Sequence, residues 1–82
     1  MRHLKVFSAS WCAPCKAMAP ALEQLARQGV TIEKIDVDEH KEYTARQGVR
    51  TVPTIKLFDG DLVLDTMVGA MSLKQLQEFV KS

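Results

Sequence analysis

Two cysteines, Cys12 and Cys15, stand three positions apart in the segment SASWCAPCKAMAP, residues 8–20. A tryptophan precedes the pair and a proline lies between the two cysteines. Cysteines spaced in this way can form a structural disulfide, supply ligands to a metal ion, or cycle between a dithiol and a disulfide. Each of these three uses requires different residues around the pair.

A purely structural disulfide is the use that this pair would serve least well. A bridge from Cys12 to Cys15 closes a loop of four residues, for which loop-closure entropy gives about 2 kcal/mol, near the bottom of the usual range. Two cysteines are also too few for the disulfide framework of a small secreted domain. In a reducing compartment, a catalytic or metal-binding role is therefore favoured.

A metal site is the second use. Such a site needs four ligands, or three and an open position, and the pair supplies two. The remaining histidines, His3 and His40, form no recognisable ligand spacing with the cysteines. Two copies of the chain could complete a tetrathiolate site by sharing their cysteines, so metal binding stays open as the weaker alternative.

Redox turnover fits the positions of the residues better. Cys12 falls where a strand leads into a helix, so unpaired backbone N–H groups and the positive end of the helix dipole stabilise its thiolate. Pro14 suits the first helical turn, and Lys16 adds a positive charge. Cys15 lies one turn further on, where we expect it to point inward and meet less water. The pattern therefore predicts that Cys12 attacks a disulfide and that Cys15 resolves the mixed disulfide.

Hydrophobic periodicity predicts the elements that position this pair. A first strand is expected over Leu4–Phe7, followed by a helix over Cys12–Gln28 in which Met18, Leu22 and Leu25 share a buried face. Pro20 lies inside this helix and predicts a bend rather than an end.

The second half of the chain predicts a mixed sheet. Residues 30–38 form a second strand with Val and Ile on both faces, as in a central parallel strand. A short helix covers about residues 40–47, a third strand starts near Thr54, and Asp59-Gly60 predicts a hairpin into residues 61–69.

The last predicted helix starts at Ser72, with Gln75 completing a capping box. Its expected buried residues are Leu73, Leu76, Phe79 and Val80. The predicted order is β-α-β-α-β-β-α, an α/β fold in which four strands form a mixed sheet flanked by helices and the first two strands are parallel.

Composition limits the classes of function. The 82 residues suffice for one domain, 1–82, and its 46% hydrophobic and 26% charged residues are typical of globular proteins. A net charge of +1, with both signs interspersed, predicts neither a nucleic-acid nor a membrane surface. Because the sequence shows neither the apolar run of a secretion signal nor that of a membrane span, we expect a cytoplasmic protein.

The motifs together resemble the thioredoxin family. SWCAPCK (10–16) is similar to the family's active-site motif, with Ala13 in place of the more usual glycine, and KIDVDEH (34–40) resembles the following strand. VRTVPT (49–54) resembles the segment that carries a cis X-Pro bond, and VGAMS (68–72) resembles the Gly-Ala turn of the substrate groove. The resemblance covers essentially the whole chain and implies a thioredoxin-like fold that lacks the family's first strand and helix.

The resemblance implies a protein disulfide oxidoreductase that acts as a monomer and uses no cofactor beyond its own cysteines. Electrons are expected from a thioredoxin-reductase-like flavoenzyme, and ribonucleotide reductase is a candidate among the protein disulfide substrates. Lys34 is implied as a supporting residue of the active site. The implied substrate groove is formed by Trp11, Ala13, Val52, Pro53, Gly69 and Ala70, with a cis bond between Val52 and Pro53.

Two residues depart from the family pattern, and one of them leaves a matching residue without its partner. Val6 occupies the place of a buried aspartate that is thought to help deprotonate the second cysteine, so Cys15 is expected to stay largely protonated near neutral pH. Lys34 then lacks its usual partner; partial solvation, pairing with Asp36 or another acid, and a lowered pKa are the alternatives. Ser8 replaces a second tryptophan of many relatives.

Two other functions remain as alternatives. A glutathione-dependent glutaredoxin has a similar size, and Lys16, Arg46 or Arg50 would contact the carboxylates of glutathione. Glutaredoxins usually carry an aromatic residue directly before the second cysteine, where this chain has Pro14. A non-catalytic metal-binding or interaction module is the alternative from a different class.

Overall fold

The computed structural model describes residues 1–81 and contains the predicted order of elements. The elements are β1 (Arg2–Ser8), α1 (Ala13–Arg27), β2 (Ile32–Asp36), α2 (Lys41–Arg46), β3 (Thr54–Asp59), β4 (Leu62–Val68) and α3 (Leu73–Phe79). The four strands form one sheet in the order β2-β1-β3-β4. The β1 and β2 strands are parallel and the other pairs are antiparallel, which confirms the mixed sheet.

The prediction that β2 is a central strand is wrong. The β2 strand lies at the edge of the sheet and pairs with β1 alone, whereas β1 and β3 occupy the centre. Within β2 only Ile35 is buried, and Glu33 and Lys34 are exposed. Adjacent side chains of a strand point to opposite faces, so these two residues place a charge on each face, which an edge strand tolerates.

One face of the sheet carries the main core. Helices α1 and α3 lie against each other and against the alternate residues of β1 and β3 that point toward them. The α1 helix continues through Pro20, as predicted, and the expected stripe on α1 is buried. The buried members of this core are Leu4, Val6, Met18, Leu22, Leu25, Ile55, Leu57, Met71, Leu76 and Phe79.

Turn and cap residues set the ends of the last elements. Gly60 has a φ of 59°, which allows the tight connection between β3 and β4. The Ser72 side chain accepts a hydrogen bond from the backbone N–H of Gln75, whose side chain accepts one from the N–H of Ser72. This reciprocal pair is the predicted capping box of α3. Of the residues expected to be buried there, Leu73 and Val80 are only half-buried.

A lysine covers the opposite face of the sheet. Lys5 Nζ lies 4.8 Å from the ring centroids of both Tyr43 and Phe58, and it donates a hydrogen bond of 2.6 Å to the Tyr43 hydroxyl. Glu33 lies 3.7 Å from the same ammonium group. The hydrogen bond to Tyr43 raises the pKa of Lys5 above its ordinary value of 10.5, and burial opposes this shift. Lys5 thus joins β1, α2 and β3 through two cation–π contacts and one hydrogen bond.

Replacing Lys5 by methionine is expected to lower the free energy of unfolding by about 1–2 kcal/mol, since the two ring contacts and the hydrogen bond are lost while the apolar stem remains. The pKa of Lys5 is raised by folding, so its contribution is complete below pH 10.5 and fades as the pH rises through the folded-state value. Urea unfolding at pH 7 and pH 11 measures both effects. Lys41→Met, at an exposed position of α2, is the matched control; equal losses in the two variants would contradict the role of Lys5.

Candidate active site

The two cysteines form a disulfide at the N-terminus of α1, with their Cα atoms 5.3 Å apart. Cys12 is the N-cap residue of this helix, and its Sγ accepts a hydrogen bond of 3.2 Å from the backbone N–H of Cys15. The first turn of α1 contains no acidic residue, and Pro14 lies within that turn. Because the N–H group and the helix dipole favour negative charge on Cys12 Sγ, the predicted stabilisation of a thiolate has its structural basis here.

Both sulfur-bearing residues are buried, and the prediction that Cys15 meets less water than Cys12 is wrong for this disulfide state. The exposed fraction is 4% for Cys12 and 8% for Cys15. Both cysteines pack in a small cluster with Ala9, Val37 and Val52. Cys15 also lines a cavity of about 110 Å³.

Among the residues that the structure describes, none of those that line the cavity beside Cys15 is acidic. Val6, which is 1% exposed, forms part of its wall and stands opposite Lys34 in the parallel pairing of β1 and β2. The two charged residues that line the cavity, Lys16 and Lys34, are both exposed. Lys34 is therefore solvated, which is one of the three alternatives given above for a lysine without its usual partner. Its ammonium charge is not buried.

Two loops meet beside the disulfide. The Val52–Pro53 peptide bond is cis; Pro53 is buried, and Val52 packs against the cysteine cluster. The backbone N–H of Gly69 donates a hydrogen bond of 2.8 Å to the Pro53 carbonyl, with Gly69 at a φ of 103°. This bond joins the loop before β3 to the loop after β4, so the structure brings together the expected groove residues from positions 52, 53 and 69.

Trp11 forms an exposed wall next to Cys12. Its side chain is 68% exposed, and its indole Nε1 donates a hydrogen bond of 2.9 Å to Asp38 Oδ2. The backbone N–H groups of Asp38 and Glu39 donate to Asp36 Oδ1 at 2.8 and 3.3 Å, which holds the turn after β2. Ala13 and Ala70 are exposed as well. The sequence interpretation omitted Asp38, although carboxyl ends of parallel strands meet at one edge, and this rule places residues 36–38 beside Ser8.

The described residues give no support to a metal site. Within residues 1–81, no three His, Cys, Asp or Glu side chains come close enough to hold an ion. His3 stacks on Phe58 at 5.4 Å between ring centroids, and His40 is the N-cap residue of α2. None of the helices in this part of the chain has the length and apolar content needed to cross a bilayer.

Comparison with known proteins agrees with this geometry. A family model described as Thioredoxin matches residues 2–82. The chain belongs to the thioredoxin family. The thioredoxin of Rhodospirillum rubrum is 40% identical over 79 residues, which are 93% of this chain and 76% of that protein. The thioredoxin of Haemophilus influenzae is 42% identical over 77 residues, covering 90% of this chain and 72% of the relative.

Solved thioredoxin structures share the fold. A mutant thioredoxin from Halobacterium salinarum superposes with a TM-score of 0.93 at 36% identity, covering 98% of this chain and 72% of that one. Fasciola hepatica thioredoxin gives a TM-score of 0.90 at 32% identity over 98% and 78% of the two chains. Together with the bridged Cys12–Cys15 pair, the family membership makes this protein a thiol-disulfide oxidoreductase, and neither a glutaredoxin nor a non-catalytic module is favoured.

Asp38→Ala is expected to raise the KM of this protein for a protein disulfide roughly threefold to tenfold and to change kcat little. The substitution removes a hydrogen bond from the Trp11 indole to a charged acceptor, which is worth about 1 kcal/mol. The indole is then no longer held in place before the substrate binds, so binding must fix its position and becomes weaker. Insulin-disulfide reduction over a range of insulin concentrations separates the two constants. Asp61→Ala, in the exposed turn between β3 and β4, is the control, and an unchanged KM in Asp38→Ala would refute this role.

Proposed function

We propose that the protein reduces disulfides of other proteins, with Cys12 as the attacking and Cys15 as the resolving thiol. The observation that carries this assignment is the hydrogen bond from the Cys15 N–H to Cys12 Sγ at the helix start. In the reduced protein, the Cys12 thiolate attacks one sulfur of the substrate disulfide, and the other sulfur leaves as a thiolate. Cys15 then attacks Cys12 Sγ, which releases the second substrate thiolate and forms the intramolecular disulfide.

The proton of Cys15 must leave before this second attack. The cavity beside Cys15 has a volume of about 110 Å³, which exceeds the roughly 30 Å³ that one water molecule occupies in the liquid. No carboxylate within residues 1–81 lines it, so we propose that water in this cavity accepts the proton, with Lys16 and Lys34 favouring the thiolate that remains. Resolution is then slower than it would be with a neighbouring carboxylate base.

A reductase must return two electrons after each turnover. A thioredoxin-reductase-like flavoenzyme is the proposed donor, and the cysteine pair itself carries the electrons without a bound cofactor. The supporting observation is the Trp-Cys-Ala-Pro-Cys-Lys motif at the start of α1, which resembles that of thioredoxins. A reduction potential near the thioredoxin value of about −270 mV is expected, whereas a value near −120 mV would indicate a disulfide-forming oxidant.

The substrate is proposed to bind as an extended segment along the joined loops at Pro53 and Gly69, next to Trp11. Backbone groups of such a segment can pair with loop backbone much as an added strand pairs with a sheet edge. Protein disulfides are the proposed substrate class, with ribonucleotide reductase as one candidate. A monomer in the cytoplasm, binding neither nucleic acid nor membrane, is the proposed working form, in keeping with a net charge of +1.

Turnover of insulin disulfides with two electron sources tests the proposal. One reaction contains NADPH and a bacterial thioredoxin reductase, and the other contains reduced glutathione with glutathione reductase. Faster turnover with thioredoxin reductase is the expected result. Turnover with glutathione alone would favour the glutaredoxin alternative, and inactivity with both donors and with dithiothreitol would remove the reductase assignment.

A further inference from the structure

The side chain of Ser8 lies on the face of the sheet that α1 covers. Leu4 and Val6 of the same strand belong to the main core on that face, and side chains two positions apart on a strand point the same way. Ser8 is half-buried and lines the cavity of about 110 Å³ together with Cys15. The strand and the helix therefore bring a hydroxyl and the resolving thiol to one small cavity.

The hydroxyl of Ser8 is available to bind water. Within residues 1–81, Ser8 Oγ forms no hydrogen bond, whereas the Ser8 carbonyl accepts one of 2.9 Å from the N–H of Val37. Besides Cys15 and two exposed lysines, the other described residues of the cavity wall are apolar, namely Val6, Ala9, Ala19 and Leu22. A cavity holds a water molecule only where about two to four polar partners are present, so Ser8 is the side chain that can fix one beside Cys15.

The charged residues nearby cannot take this role. The ammonium groups of Lys16 and Lys34 only donate hydrogen bonds, and their charge disfavours a water molecule that has taken up a proton. Asp36 pairs with Ser8 across β1 and β2, but it is not among the described residues that line the cavity, and its Oδ1 accepts two backbone N–H groups of the following turn. Among the described lining residues, Ser8 alone thus offers a side-chain oxygen that both accepts and donates a hydrogen bond.

We propose that Ser8 is a positioning residue for the resolving step, in which its hydroxyl holds the water molecule that accepts the proton of Cys15. The inference rests on the proposed role of Cys15 as the resolving thiol and names the residue that assists it. The S–H bond breaks, its electron pair stays on Cys15 Sγ, and the water passes the proton to the solvent. A water molecule bound to Ser8 Oγ then donates a hydrogen bond to the thiolate, which favours the charged form.

A disulfide reagent that releases a coloured thiolate in each step tests this role. Dithiobis-nitrobenzoate reacts with Cys12 of the reduced protein in a second-order phase, and the attack of Cys15 on the mixed disulfide follows as a first-order phase. Stopped-flow absorbance separates the two phases. In Ser8→Ala we expect the first-order rate constant at pH 7 to fall about tenfold, the ratio that about 1.4 kcal/mol produces, and the second-order rate constant to stay unchanged.

The pH profile of the first-order phase distinguishes a positioning role from a structural one. Once the pH is high enough to ionise Cys15 in both proteins, the water is no longer needed as a proton acceptor. We therefore expect the rate constants of wild type and Ser8→Ala to converge on one plateau, with the midpoint of the profile about one pH unit higher in the variant. A structural effect that displaced Cys15 would instead lower the rate constant equally at every pH.

Three further substitutions assign the effect to the hydroxyl. Ser8→Thr keeps the hydroxyl on a side chain that suits a strand, so we expect resolution close to the wild-type rate. Ser10→Ala, at an exposed position that does not line the cavity, is the matched control. Asp36→Asn removes the charge of the neighbouring carboxylate, and we expect it to leave the pH profile unchanged.

The outcomes separate this inference from the function on which it rests. A slower first-order phase in Ser8→Ala that recovers at high pH, and that Ser8→Thr does not share, supports the inference. An unchanged first-order phase, a loss that persists at high pH, or a profile shifted by Asp36→Asn but not by Ser8→Ala overturns it, while the second-order phase still supports Cys12 as the attacking thiol. Absence of both phases, together with failure on insulin, overturns the proposed function as well.

Discussion

Cys12→Ser is expected to lower the rate of disulfide reduction by at least about 10³-fold, to the level of the reaction without the protein. A serine hydroxyl is not ionised near neutral pH, so it cannot attack a disulfide as the thiolate does. The N-cap hydrogen bond from the Cys15 N–H can still form with serine, since serine is a favoured N-cap residue. Loss of activity will therefore report the chemistry of the sulfur rather than loss of the helix start, and circular dichroism checks the fold.

Cys15→Ser is the matched variant, and its expected behaviour differs. The Cys12 thiolate still attacks, but no second thiol resolves the product, so the variant accumulates as a mixed disulfide with its substrate. Non-reducing electrophoresis and intact-mass measurement detect the added mass, which dithiothreitol removes. If instead Cys12→Ser forms the stable adduct and Cys15→Ser does not, the two roles are reversed.

Val6→Asp is expected to have two large and opposite effects. The carboxylate would line the cavity beside Cys15 and accept its proton, so resolution of the mixed disulfide is expected to become about tenfold faster or more. Val6 is 1% exposed and belongs to the main core, so the same substitution is expected to cost about 3 kcal/mol of stability at pH 7. The destabilisation should decrease at low pH, because burial raises the pKa of a carboxyl group above its unfolded value and protonation then relieves the cost.

Val6→Asn separates the effect of a proton-accepting carboxylate from the effect of a buried polar side chain. It has nearly the same shape as Val6→Asp and carries no titratable group, so we expect it to lose stability without faster resolution. Quenching the reaction with an alkylating reagent at short times gives the amount of mixed disulfide in each variant. Equal resolution rates in wild type and Val6→Asp would show that proton removal from Cys15 does not limit the reaction.

The elements of the fold could be predicted from the sequence because their local signals agree with the tertiary structure. Met18, Leu22 and Leu25 mark the buried stripe of α1, and Ser72 with Gln75 marks the start of α3. Strand order was less predictable, since the apolar residues of β2 resemble those of a central strand. Among the described strands, β2 lies at the edge because β1 alone pairs with it, and no local pattern encodes which strands pair.

Some features of the active site could also be predicted from the sequence, and others could not. The motif predicted the position of Cys12 at a helix start, because strand, turn and helix follow one another directly in the sequence. It did not predict the relative burial of the two cysteines, since the valines that cover them come from loops 25 and 40 residues away. Asp38 was omitted for the same reason, because it acquires a role only when the turn after β2 folds beside Trp11.

The position of β1 in the centre of the sheet divides the molecule into regions of different local stability. The β1 strand is hydrogen-bonded on both sides, whereas β4 is paired on one side and all seven of its residues are exposed. We therefore expect amide hydrogens of β1 to exchange with solvent most slowly, while those along the free side of β4 exchange from the native state. Since only residues 9–11 separate β1 from Cys12, we expect the reactive sulfur to be attached to the most stable part of the sheet.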